Sequence, residues 1–193
     1  MHKLLKTIIL ALLAGVATTS SATILEFETI LLGPSEVPPV ASPATGFSDI
    51  DVDTVLNRLS VEETFSGLIG GPAAAAHIHC CTPPGTNAGV AVPFPGFPAA
   101  TSGTYTQTFD LTLLATYTAA FVTSSGGTAA QAEAALIAGL VAGDAYANIH
   151  NATFPGGEIR GFLVAQQVPE PATLALLGLG LAGLGFSRRR KSN

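Results

Sequence analysis

Imidazoles and thiols are the scarce reactive groups of this chain. His77 and His79 alternate in the run Ala76-His77-Ile78-His79-Cys80-Cys81, which also holds both cysteines. His150 stands alone further on, and the remaining histidine is at position 2. Imidazole nitrogen and thiolate sulfur are borderline-to-soft donors, so a cluster of them would suit copper or zinc. A strand would put His77 and His79 on one face, because side chains alternate with a period of two. The same parity groups Tyr146, Asn148 and His150, and separately Glu158 and Arg160, while Ile78, Ala147, Ile149 and Ile159 face the other way. If those strands are neighbours, the polar sets converge. His77, His79 and His150, with Cys80 and Cys81 at the strand end, are then the candidate metal ligands. Asn148, Glu158 and Arg160 would support them from behind. The plainer reading is a hydrogen-bonded polar cluster in which Arg160 pairs with Glu158. Ring nitrogens within roughly 3–4 Å of one another would favour a shared ion, since ligands about 2 Å from zinc must crowd together.

The cysteines are neighbours, so they cannot close an ordinary loop. They are free thiols on a metal, a vicinal disulfide, or a link to another chain. No catalytic constellation accompanies them: there is no Gly-x-Ser-x-Gly elbow and no glycine-rich phosphate loop ahead of a helix. Asp49, Asp51 and Asp53 alternate along one stretch. They could attract calcium, but they lack the glycine and spacing of an EF-hand loop, and a solvated face explains them better. The whole chain carries a formal charge of −5. Between residues 23 and 169, twelve acidic residues stand against Arg58 and Arg160, a net charge near −10. Such a surface repels phosphate backbones and argues against nucleic acid as a partner.

The elements that must position these groups are mostly strands. Alternation predicts strands over 23–32, 46–55, 57–65, 73–79 and 103–113, a short one over 89–92, and two more over 144–151 and 157–165. The turn at Thr54–Asn57 makes a hairpin of the second and third. The proline-rich segments 33–40 and 82–103 break the pattern. One helix is expected over 128–142, with Thr128 as its cap, Gln131 completing a capping box and Gly143 as its stop. About seven strands at turn-rich spacing, with one short helix, predict an antiparallel β-sandwich or Greek-key barrel.

The two ends read as targeting signals. Residues 1–22 have a basic start, an apolar stretch and small residues before a cleavage point after Ala22, as in a secretory signal peptide. At the other end, Pro169-Glu170-Pro171 precedes an apolar run over 172–187 and the basic cluster Arg188-Arg189-Arg190-Lys191. The run is short for a membrane span, and the basic cluster would hold its far end in the cytoplasm. This tail, residues 167–193, resembles the PEP-CTERM sorting signal of Gram-negative bacteria. The resemblance implies a membrane-held intermediate, processing by exosortase after signal peptidase has acted, and delivery to the cell surface or the exopolysaccharide matrix. A plain single-span anchor is the alternative.

The domain between them, residues 23–166, carries four motifs in order. These are Leu32-Gly33-Pro34-Ser35-Glu36-Val37-Pro38-Pro39-Val40, Ala76-His77-Ile78-His79, Ala145-Tyr146-Ala147-Asn148-Ile149-His150 and Pro155-Gly156-Gly157-Glu158-Ile159-Arg160-Gly161. Together they resemble the CHRD domain, named from chordin and common in bacterial secreted proteins. The His-x-His strand and the closing strand are also similar to the copper/zinc superoxide dismutase sandwich, and an immunoglobulin-like sandwich is the other form expected. The dismutase likeness is one of fold and implies no activity, and three histidines after position 22 are too few for that family's copper and zinc ligands. The expectation is an exported, non-enzymatic surface or matrix protein, with exopolysaccharide or other surface proteins as partners. A secreted copper- or zinc-binding protein is the alternative.

Overall fold

The computed structural model describes residues 24–166, together with the isolated residue Gly180. The signal peptide with its cleavage point after Ala22, and the Pro169-Glu170-Pro171 motif, apolar run and basic cluster, lie outside the described residues. Nine strands form one antiparallel sheet: β1 (Ile24–Leu32), β2 (Thr45–Asp53), β3 (Arg58–Ser66), β4 (Ala73–Cys80), β5 (Val90–Pro93), β6 (Gly103–Asp110), β7 (Ala145–Asn151), β8 (Ile159–Phe162) and β9 (Val164–Ala165). The order across the sheet is β5-β4-β7-β8-β1-β2-β3-β6, with β9 added on β1. The sheet curls until its two ends meet: Phe94, just past β5, stacks on Tyr105 and Phe109 of β6 at ring separations of 5.3 and 6.1 Å. This curled antiparallel sheet is consistent with the expected sandwich.

Alternation decides what faces inward. Phe27 and Leu31 of β1, Ile50 and Val52 of β2, Leu59 and Val61 of β3, Ile78 of β4, Ile149 of β7 and Ile159 of β8 are all fully buried in one apolar cluster. The hairpin between β2 and β3 turns on Asp53, whose Oδ1 accepts from the Val55 and Leu56 amides, and on Asn57, which adopts φ 52°.

Among residues 24–166 two α-helices accompany the sheet, where one is expected. α1 (Ala119–Ser124) is capped by Thr118. α2 (Ala129–Ala142) begins at the expected cap, with Thr128 Oγ1 accepting from Gln131 N at 3.2 Å, and ends at Gly143 in the left-handed region at φ 74°. Among the described residues no helix is long and apolar enough to cross a membrane. Two strands also differ from expectation. β6 stops at Asp110, whose carboxylate takes the Thr112 amide and hydroxyl, so Leu113 is left exposed. The closing strand divides into β8 and β9 around the buried Leu163.

Candidate metal centre

The register makes neighbours of the strands that carry the polar sets. β4 pairs with β7, setting His77 opposite Asn148 and His79 opposite Tyr146, and β7 pairs with β8, setting Asn148 opposite Arg160. His77, His79, Tyr146, Asn148, His150 and Arg160 therefore share the sheet face turned away from the core. Two proline-bearing loops cover this face. Arg160 donates from Nε to Ser35 O at 2.9 Å and from Nη1 to Thr86 O at 3.4 Å, and Asn87 links the two loops by donating to Val37 O. The cover leaves Asn148 and Arg160 almost wholly buried.

The three imidazoles meet beneath it. Ring centroids are 5.0 Å apart for His77 and His150, 5.5 Å for His77 and His79, and 5.9 Å for His79 and His150. One nitrogen from each lies within 4.8 Å of the other two. That limit is wider than the spacing around a bound ion, so a ring must swing inward by about 1 Å to ligate. His77 and His150 are only partly buried. His77 also lines a cleft of about 690 Å³ between β4, the segment after β5, and β6.

Backbone oxygens set the rings. Nδ1 of His79 lies 2.8 Å from Ala88 O, and Nδ1 of His150 lies 2.9 Å from Pro155 O. A proton on each Nδ1 leaves the Nε2 lone pairs for other work. Nε2 of His79 and Nδ1 of His77 are buried without a hydrogen-bond partner. Burial pushes the His77 imidazole down to about 4, with His150 and His79 adding to the effect. Burial lowers His79 as well, and lowers His150 against the pull of the Pro155 carbonyl. The cluster is neutral at neutral pH and presents donors. Behind it, Tyr146 stacks flat on His79 at 4.7 Å, and the Arg160 guanidinium lies over the tyrosine ring, 4.4 Å from its centroid.

Residues 27–163 match the CHRD domain, from β1 to the turn before β9, and so include every element of this site. The chain belongs to the CHRD domain family. Residues 167–191 match the PEP-CTERM protein-sorting motif, which implies processing by exosortase and export to the cell surface or beyond. No curated protein and no solved structure matches the chain.

Within this CHRD domain the other candidate residues part company. Cys80 and Cys81 are bonded to each other and are not free to ligate. Parity explains their place: Cys80 points opposite to His79, toward the core, where Gly139 of α2 makes room for both sulfurs. Glu158 does not pair with Arg160. It precedes β8, and its carboxylate takes the Ile69 and Gly70 amides at 2.8 and 3.1 Å, the Ser42 hydroxyl at 2.6 Å and the Asn151 amide. Burial opposes its ionisation, but these four bonds outweigh that and hold its carboxyl below the usual range. Its work is to fasten the turn before β4. Arg160 pairs with Glu36, at 3.2 Å, in an almost wholly buried contact. Burial pushes the Glu36 carboxyl up to about 7, against the pull of Arg160 and Asn148. Glu36 was not singled out as a site residue, although it sits inside the first motif. A charge flanked by prolines, in a chain with only one other arginine before the tail, was the available signal.

Proposed function

We propose that this protein is an exported, non-enzymatic cell-surface or matrix protein whose CHRD domain holds one copper or zinc ion through His77, His79 and His150. The observation that carries the reading is the convergence of three imidazole nitrogens within 4.8 Å of one another on a sheet face that two loops cover. A structural polar cluster would be expected to hydrogen-bond its buried nitrogens, yet His77 Nδ1 and His79 Nε2 have no hydrogen-bond partner. With the sulfurs tied to each other, the donor set is imidazole, which suits zinc and copper. The sorting motif supports a place outside the cell, and the lack of a nucleophile constellation in the sequence supports binding over turnover.

The test is metal analysis of protein purified after export, together with melting in added Cu²⁺ or Zn²⁺. One ion per chain is expected, with a rise in Tm that His77→Ala and His150→Ala abolish. A ligand at a hundred times its Kd adds about 2.7 kcal/mol of stability, so the rise will be readily measured. No stoichiometric metal and unchanged melting would overturn the reading.

A further inference from the structure

The Asn148 side chain lies between two different demands. Its Nδ2 faces the space beneath Gly157, where an added Cβ would come within 2.8 Å of it, and the Glu36 side chain reaches the same space and interacts with Asn148. The amide turns its N–H₂ toward Gly157 and Glu36 and its oxygen the other way. That oxygen lies 2.9 Å from Nε2 of His150. The other nitrogen of the same ring faces the Pro155 carbonyl. A neutral imidazole has one N–H, and here both nitrogens face oxygen acceptors. One of the two contacts therefore brings lone pair against lone pair unless a second proton or a metal cation sits there. Asn148 is 1% exposed and sits opposite His77 in the register, so its oxygen reaches the cluster from the sheet itself and solvent does not compete for it.

We infer that Asn148 supplies, through Oδ1, the fourth donor to the ion held by His77, His79 and His150, closing the coordination sphere with three nitrogens and one oxygen. The inference rests on the metal-binding reading and deepens it. A neutral amide oxygen is a harder donor than sulfur and favours Cu²⁺ or Zn²⁺ over Cu⁺. Four protein donors leave no position for water or substrate, which is the pattern of sites that hold a metal, whereas catalytic sites keep a position open.

The experiment loads the protein purified after export with Cu²⁺ alone and records its electron paramagnetic resonance spectrum and water-proton relaxivity. The wild type is expected to show three nitrogen couplings and no exchangeable water on the copper. Asn148→Ala is expected to keep the three nitrogens, gain one exchangeable water and bind Cu²⁺ at least about tenfold more weakly. A residue that merely oriented His150 would weaken binding without changing the water count. Wild-type protein that binds Cu²⁺ through three nitrogens and already carries an exchangeable water overturns the inference while leaving metal binding intact. That measurement needs no variant to fold. Wild-type protein that takes up no Cu²⁺ overturns both.

Discussion

Glu63 carries its carboxyl into the apolar interior, opposite Ser48 on one side and Tyr105 on the other, and both its oxygens lack a hydrogen-bond partner. Burial pushes it up to about 8, with the Ser48 hydroxyl pulling the other way. The folded protein therefore holds this group neutral while the unfolded chain ionises it above its ordinary value of 4.5. The stabilising balance is fully present below that value and is lost as pH rises toward about 8. Glu63→Gln is expected to leave stability near pH 4 little changed and to raise it at pH 8 by roughly 2–4 kcal/mol, read from urea unfolding at the two pH values. The inward parity of Glu63 was legible beside Leu59, Val61 and Phe65 on the same strand. The grouping of His77, His79 and His150 was legible for the same reason. The partner of Arg160 was not: Glu36 and Arg160 are far apart in the chain, and only the fold of the loop after β1 over β8 brings them together.

At the scale of elements, α2 and β4 meet through sulfur. An ideal Cβ at Gly139 would fall on both Cys80 Sγ and Cys81 Sγ. Replacing a mid-helix glycine with alanine ordinarily gains about 1 kcal/mol. Here the clash with an immobile sulfur pair costs about 1–3 kcal/mol and wins. Gly139→Ala is expected to lower Tm in the oxidised protein and to be neutral or stabilising after reduction, when the separate thiols can turn aside. Thermal melts with and without a dithiol reductant check it. Strands were readable because most have one buried face, and α2 because Thr128, Gln131 and Gly143 mark its ends. α1 was not readable: six residues, Ala119–Ser124, are too few for a periodic stripe, and Phe121 and Val122 also suit a strand. The order of the strands in the sheet has no local signature at all, since β1 lies between β8 and β2 through contacts made across most of the domain.

At the scale of the whole molecule, the outward face of β1, β2 and β3 carries much of the negative charge. Glu26 stands opposite Asp51, Glu28 opposite Asp49, and Asp49 opposite Glu62. Like charges directly across a ladder destabilise, and Asp51 shows it: partial burial, then Asp49, Glu26 and Glu28, raise its pKa. Added salt shortens the screening length from about 30 Å at 0.01 M to about 3 Å at 1 M, so Tm is expected to rise across that range. Asp51→Asn is expected to gain up to about 1 kcal/mol at pH 7 and low salt, with the gain fading as salt is added. The chain also enters and leaves this domain side by side: β9 lies along β1 at Phe27 and Glu28, and Gln166 N donates to Glu26 O at 2.7 Å. The sorting motif begins at the next residue, 167. Leu32, at the far end of β1, pairs with Arg160, beside Asn148. At about 3.3 Å per residue, Glu26 and Leu32 stand roughly 20 Å apart. The last described residue before the sorting motif thus stands at one end of the sheet and the histidines at the other, so the ion site is reached from the end away from Gln166.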